Sequence, residues 1–242
     1  MLSKSRVKYI QSLGHKKFRD EEGLYIAEGP KIVNELIKEI PDRIDTVYAL
    51  KSWLDENKVL SGKIESTEIT TIELEKISQL SIPNSVLAII KKNEEPVIET
   101  QNRITIVLDT IQDPGNLGTI IRTADWFGIN QVVCSNDSAD NYNPKVVQAT
   151  MGSIARVKVL YTDLPLWLVK QNVNIYAAAL NGKDITALGK LKEGIIIIGN
   201  ESKGISGEIM KLANEKITIS RKGKAESLNA AVAAGIIMSA II

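Results

Sequence analysis

Asp113-Pro114-Gly115-Asn116-Leu117-Gly118, continued by Arg122, Ala124-Asp125 and Phe127-Gly128, is the stretch whose reading decides the fold. The apolar run Ile104 to Leu108 leads into it and reads as a strand buried on both faces. A helix starting near Leu117 is expected to lead out. The run therefore sets an amide (Asn116), a guanidinium (Arg122) and a tight glycine turn at the carboxyl end of a parallel-type strand, where ligands bind in open α/β sheets. Taken alone it is also ordinary turn and cap chemistry: Asn116 suits a helix N-cap and Gly118 permits close packing. Arg122 follows Gly118 by one helical turn and is expected to face back toward the loop.

Two later segments share this form. Ile195-Ile196-Ile197-Ile198 is a second apolar strand, and it runs into Gly199-Asn200-Glu201-Ser202-Lys203-Gly204. Glu201 at such a turn can fix backbone amides or a ligand. Ile217-Thr218-Ile219 reads as a third strand, followed by Ser220-Arg221-Lys222-Gly223 and then Ser227-Leu228-Asn229-Ala230. Ser227 is the expected N-cap of the last helix, whose free N–H groups can meet a ligand.

Working outward, the second half alternates strands expected at 104–108, 131–134, 174–180, 194–198 and 216–219 with helices expected at 117–127, 144–154, 164–171, 206–213 and 227–241. This alternation predicts an α/β domain with a mostly parallel sheet. The first half also alternates. Helix Ser3–Leu13 precedes strand Leu24–Ala27, a helix opened by Gly29-Pro30 and strand Thr46–Leu50. Helix Ser52–Asn57, a weak strand at Lys63-Ile64, helix Thr70–Leu80 and strand Ser85–Ile90 follow. Charged residues closed by Pro96 then mark a linker. The expected organisation is a small module at 1–92, a linker at 93–101 and a larger domain at 102–242.

The chain has 242 residues, 44% hydrophobic and 24% charged, with a net charge of +1. These are globular proportions, and the overall charge does not itself indicate nucleic acid. Its distribution says more: Lys4, Arg6, Lys8, Lys16, Lys17 and Arg19 precede almost every acid, forming a phosphate footprint or a solvated lysine face. Cys134 is the only cysteine and His15 the only histidine. An internal disulfide, a cysteine zinc cluster, a Ser-His-Asp triad and a histidine metal site are thereby disfavoured, and a reducing, cytoplasmic setting fits. No dinucleotide fingerprint, Walker loop or Gly-x-Ser-x-Gly elbow is present. The start lacks the apolar core of a signal peptide, and Ala230–Ile242 is too short for a membrane span.

The three loops in the order Asn-x-Gly-x-x-x-Arg, Gly-Asn-Glu-x-x-Gly and Ser-Leu-Asn form a specific combination. With them, residues 102–242 closely resemble the SpoU class of the SPOUT RNA methyltransferases. Lys17-Phe18-Arg19 and Gly23-Leu24-Tyr25-Ile26-Ala27-Glu28-Gly29-Pro30 resemble the αβα RNA-binding module that precedes this domain in several members. The resemblance implies a sheet whose C-terminal part threads a deep trefoil knot. It also implies S-adenosylmethionine held by backbone at Gly199, Ile219 and Leu228, with Leu180 near the adenosine, and a homodimer that completes the site. Departures from the family pattern are Ser202 for glycine, Ser220-Arg221 for proline-methionine and Tyr25 for phenylalanine.

The implied reaction transfers a methyl group to a ribose 2′-hydroxyl of RNA. Ribosomal RNA is favoured by the N-terminal module, with transfer RNA as the alternative. Arg122 is expected to bind the adjacent phosphate and stabilise the developing alkoxide, since a guanidinium stays protonated. The resemblance assigns Asn116 to orienting Arg122 or the ribose, Glu201 to Arg122 or loop amides, and Ser227 and Asn229 to the target phosphate or ribose. Lys4, Arg6, Lys16, Lys17 and Arg19 are the expected RNA contacts. A non-catalytic RNA-binding paralogue and a nucleotide-binding oxidoreductase are the rivals, separable by calorimetry with S-adenosylmethionine and with NAD.

Overall fold

The computed structural model describes residues 1–57 and 64–242. Along the chain the helices are α1 (Lys4–Ser12), α2 (Lys16–Glu22), α3 (Pro30–Glu39), α4 (Lys51–Glu56), α5 (Thr71–Ile77), α6 (Pro114–Trp126), α7 (Pro144–Thr150), α8 (Leu164–Leu168), α9 (Gly207–Met210) and α10 (Ala230–Ile241). The strands are β1 (Leu24–Glu28), β2 (Ile44–Ala49), β3 (Ser66–Glu68), β4 (Val86–Lys91), β5 (Ile104–Asp109), β6 (Gln131–Ser135), β7 (Lys158–Thr162), β8 (Ile175–Asp184), β9 (Gly194–Gly199) and β10 (Glu215–Thr218). They form two compact units, Met1–Glu94 with Asp140–Ala155, and Glu95–Ala139 with Arg156–Ile242.

The first unit is built on a four-stranded mixed sheet in the order β1-β4-β2-β3. β4 runs antiparallel to both neighbours, and β2 and β3 are parallel. Residue alternation assigns its two faces. Tyr25, Ala27, Val47, Ala88 and Ile90 pack with Ile32, Val33 and Leu36 of α3, whereas Ile26, Tyr48, Leu87 and Ile89 pack with Ile10 and Leu13 on one side and Leu74 and Ile77 of α5. Pro30 occupies the first turn of α3, where its missing N–H costs nothing. Thr70 and Glu73 open α5 with a reciprocal capping box. Half of the weak strand expected at Lys63-Ile64 lies outside the described residues, and β3 follows it.

The segment 140–155 belongs to this unit although it interrupts the second half of the chain. Tyr142, Val147 and Ile154 enter the same core as Tyr25 and Ile32. The rings of Tyr25 and Tyr142 lie 4.7 Å apart. The helix expected at 144–154 stops at Thr150, because Met151 turns into a left-handed conformation with φ 51°.

The second unit is a six-stranded, wholly parallel sheet in the order β10-β8-β9-β5-β6-β7. β5 and β9 are apolar runs with both faces covered, as parallel strands are. Leu164, Leu168 and Ile209 pack against Val107, Ile195 and Ile197 on one face, while α6 and α10 pack together elsewhere in the unit. Sequence reading missed β7, whose half-buried residues carry little periodic signal, and α2, which is a separate helix. Strand β8 continues beyond the expected end at 180. Its pairing with β10 jumps from Ala177 beside Lys216 to Lys183 beside Ile217, so residues 178–182 form a bulge with no partner in the register. A Cβ on Gly182 would lie 2.5 Å from the Lys216 carbonyl oxygen, so only glycine fits this approach. Among the described residues, no helix is long and apolar enough to cross a membrane.

Candidate active site

The carboxyl ends of β5 and β9 lie side by side, Asp109 opposite Gly199 in register. The loops that follow them are therefore neighbours, although about ninety residues separate them in the chain. Helix α6 begins at Pro114 rather than near Leu117, with Asp113 as its N-cap accepting the Asn116 N–H at 2.8 Å. Asn116 is thus not the cap, and its side chain is available for other partners. The last helix likewise begins at Ala230. Asn229 caps it, accepting from the N–H groups of Ala231 and Val232. Ser227 is an exposed residue of the preceding segment, not the N-cap expected.

Three of the expected residues meet directly. The Asn116 Nδ2 donates to Glu201 Oε1 at 2.5 Å, and the Asn229 Nδ2 donates to Asn116 Oδ1 at 2.8 Å. Asn116 is therefore the central link between all three loops. Arg122 is not in this chain. It lies on the exposed face of α6 and, among the described residues, has no hydrogen-bond or ion-pair partner. The expectation that it faces Asn116 or Glu201 gives way to a guanidinium presented to solvent with its donors unspent.

Of the residues assigned to the cofactor, Gly199 and Ile219 sit at strand ends, whereas Leu180, expected at the end of β8, lies within that strand, which runs on to Asp184. Leu180 lies on the β8 bulge and is 80% exposed, and Leu228 just before α10 is 44% exposed. Ile219 follows the end of β10 and is half-buried. A Cβ on Gly199 would come within 2.3 Å of the Gly204 carbonyl carbon and the Ile205 nitrogen. The loop consequently folds back on the strand end, paired through Asn200 and Gly204 backbone groups.

Ser202 donates only its backbone N–H, to Asn200 Oδ1 at 2.9 Å, and nothing in the structure explains serine in place of glycine there. The Ser220-Arg221 departure has a local explanation. Ser220 donates its hydroxyl to Asp184, and with two further bonds from Thr186 this holds the Asp184 carboxyl down at about 2. Arg221 donates forward to the Ala225 carbonyl at 3.2 Å, which closes the loop on itself. Polar ties thus replace apolar packing in this loop.

The basic arm divides on inspection. Lys4, Lys8, Lys16 and Lys17 are exposed. Arg6 is half-buried, with its Nε on the Tyr48 hydroxyl and its guanidinium over the Tyr9 and Tyr48 rings at 5.0 and 5.5 Å. Arg19 corrects the expectation: it is 1% exposed, donates to the carbonyls of Leu13 and Gly14, and pairs with Asp140 at 2.5 Å. It holds α2 and segment 140–155 together and offers nothing to a phosphate.

Sequence reading missed Asp109, Thr110 and Asn200. The signal for Asp109 was an acidic residue closing an apolar strand. Asn200 lay in a quoted loop, but its role depends on a carbonyl ninety residues away.

The fold and this loop cluster define a parallel α/β protein with its site at the carboxyl edge of the sheet, preceded by a separate small αβα module. Residues 103–239 match the SpoU rRNA Methylase family and residues 4–88 the MRM3-like substrate binding domain. The chain belongs to the SpoU rRNA methylase family. It is 29% identical over 240 residues to the 23S rRNA (guanosine(2553)-2′-O)-methyltransferase RlmP of Bacillus subtilis, covering 96% of this chain and 94% of that one. A solved TrmH-family protein from Porphyromonas gingivalis superposes with a TM-score of 0.87 at 34% identity, covering 99% and 98% of the two chains. An AdoMet-bound rRNA methyltransferase from Sinorhizobium meliloti superposes at 0.86 with 30% identity, covering 98% and 95%.

Proposed function

We propose that this protein is a cytoplasmic, homodimeric, S-adenosylmethionine-dependent methyltransferase of ribosomal RNA ribose 2′-hydroxyls. The observation that carries this reading is the Glu201–Asn116–Asn229 chain of hydrogen bonds on the same unit as the solvent-facing Arg122. In this reading residues 1–92 form the RNA module, 93–101 the linker and 102–242 the transferase, whose C-terminal part threads a trefoil knot.

The β8 bulge, the segment before α10 and the strand ends at Gly199 and Ile219 suit the cosubstrate. Leu180 and Leu228 expose apolar surface of the kind an adenine ring and a methionyl chain cover, and the backbone around Gly199 and Ile219 supplies amide and carbonyl groups. When bound, S-adenosylmethionine supplies an electrophilic methyl group. The chain's own residues then do the rest. Arg122, always protonated, grips the phosphate beside the target ribose with its two-pronged fork and stabilises negative charge growing on the 2′-oxygen. Asn116, held at both ends of its amide, fixes the first and third loops relative to Glu201. Ser227 and Asn229 seat the ribose, and alignment supplies much of the acceleration.

The proposed dimer uses the transferase domain. Trp126 on α6 is 85% exposed, and Val232 and Ile236 on the adjoining helix α10 are 51% and 38% exposed. Exposed apolar surface of this kind marks an interaction face. Thr119, Arg122 and Trp126 share one face of α6 by helical spacing, so a partner covering Trp126 also borders Arg122.

The test is Arg122→Lys, which keeps the charge and loses the fork. Methyl transfer is expected to fall by about 100-fold or more, while calorimetry shows unchanged S-adenosylmethionine binding and none for NAD. Mapping of 2′-O-methylation in ribosomal RNA with and without the gene locates the nucleotide. Near-normal turnover of the lysine variant would overturn the assignment of Arg122.

A further inference from the structure

The end of β5 carries a buried acid that the mechanism above does not use. Asp109 is 5% exposed. A buried carboxylate is costly unless its oxygens are hydrogen-bonded, and an apolar residue would close the strand at less cost. Its Oδ2 accepts the Ser206 N–H at 2.7 Å, and its Oδ1 lies 3.1 Å from the Thr110 hydroxyl. Both contacts lead to the loop that carries Glu201.

Thr110 is the second unusual feature. Its φ of 61° puts a β-branched residue in the left-handed region, a strained conformation that persists only where its surroundings enforce it. Its N–H donates to Ser135 Oγ at 2.8 Å, and its carbonyl accepts from Asn200 Nδ2 at 2.9 Å. The Asn200 Oδ1 in turn accepts from the N–H groups of Ser202 and Lys203 at 2.9 and 3.1 Å, bracketing Glu201. The loop Asn200–Ser206 is therefore tied at both ends to two consecutive residues, Thr110 at its start and Asp109 at its finish.

We propose that Asp109 is a positioning residue, whose carboxylate clasps the Ser206 amide and so holds Glu201 in the geometry that meets Asn116. Thr110 and Asn200 form the other half of the clasp. The proposal rests on the methyltransferase reading for its consequence in catalysis, though not for the clasp itself.

Two variants and two readouts test it. Asp109→Ala removes the acceptor, whereas Asp109→Asn keeps an acceptor oxygen of the same shape. Hydrogen exchange at the Ser206 amide reads the clasp without any activity, and should accelerate about 100-fold in Asp109→Ala and stay slow in Asp109→Asn. At saturating RNA and cosubstrate, Asp109→Ala should lower kcat about tenfold with little change in KM. That loss should vanish in a Glu201→Gln background, because one residue acts through the other. Should Asp109→Ala fail to fold, Asn200→Ala removes the other tie and should show the same dependence on Glu201. A Ser206 amide still protected in Asp109→Ala, or kcat losses that add fully to Glu201→Gln, would overturn the proposal. A wild-type protein without methyl transfer would instead refute the function, leaving the exchange measurement to decide the clasp.

Discussion

Asn229 and Asn116, 113 residues apart in sequence, are joined by a hydrogen bond of 2.8 Å from the amide of the first to the carbonyl oxygen of the second. The other half of the Asn116 amide donates to Glu201. One side chain thereby uses its donor on the second loop and its acceptor on the third. An amide can do both because it carries a donor and an acceptor, whereas an ionised acid offers no donor.

Asn116→Asp sets a carboxylate against that of Glu201 in place of a donor. Two such groups in contact do not both ionise. Transfer is expected to fall at least about tenfold at alkaline pH and to recover partly as pH drops and the pair takes up a proton. Asn116→Ala should lose activity without that recovery. Initial rates across pH distinguish the two, and a flat profile for the aspartate variant would contradict the direct pairing.

Asp184 reports on the third loop. Its carboxyl is held down to about 2, first by the Ser220 hydroxyl and then by the Thr186 hydroxyl and N–H. The folded value lies below the unfolded one of about 3.9, so the stabilisation is present above that value and is lost as pH falls toward 2. Ser220→Ala should raise the Asp184 midpoint and move this loss to higher pH. Carbon-detected NMR titration of the carboxyl reads the shift directly.

The arginine and lysines of the N-terminal arm should separate cleanly. Arg19→Ala leaves the partly buried Asp140 without its cation, which costs about 3 kcal/mol in denaturant unfolding, the low end for a buried pair. Lys16→Ala with Lys17→Ala should leave stability unchanged. That double variant should weaken binding to many RNAs alike and flatten the log–log salt dependence by about 1 or more. Unaltered RNA binding at low salt would show that the two lysines form only a solvated face.

Trp126→Glu places a charge in the proposed dimer face without touching the core, because the tryptophan is 85% exposed. Sedimentation equilibrium should find a dimer for the wild type and a monomer for the variant, with methyl transfer lost and the fold retained by circular dichroism. A monomeric wild type would exclude the dimer.

Much of the architecture was written in local pattern. Ile104–Leu108, broken only by Thr105, and Ile195–Ile198 show no apolar–polar alternation, as befits strands of a parallel sheet covered on both faces. The three polar loops stood out because each follows a strand-like run, although the strand before the third is only partly buried, and the family resemblance they carry named Asn116, Glu201 and Asn229. Cap positions were less legible. Asp113 and Asn229 took the places expected for Asn116 and Ser227, since several side chains in each turn can serve as cap and packing chooses among them.

What the chain order alone settled, then, is the class of fold, the position of the polar loops at strand ends and the residue types available there. Which of those residues touch was settled only in three dimensions. Asp109 meets Ser206, Thr110 meets Asn200 and Arg19 meets Asp140, each across about ninety residues or more. Such pairings depend on strand order and helix docking, which local periodicity does not encode. The same physics turned Arg19 from an expected RNA contact into a buried tie and left Arg122 on an exposed helix face, with no partner among the described residues.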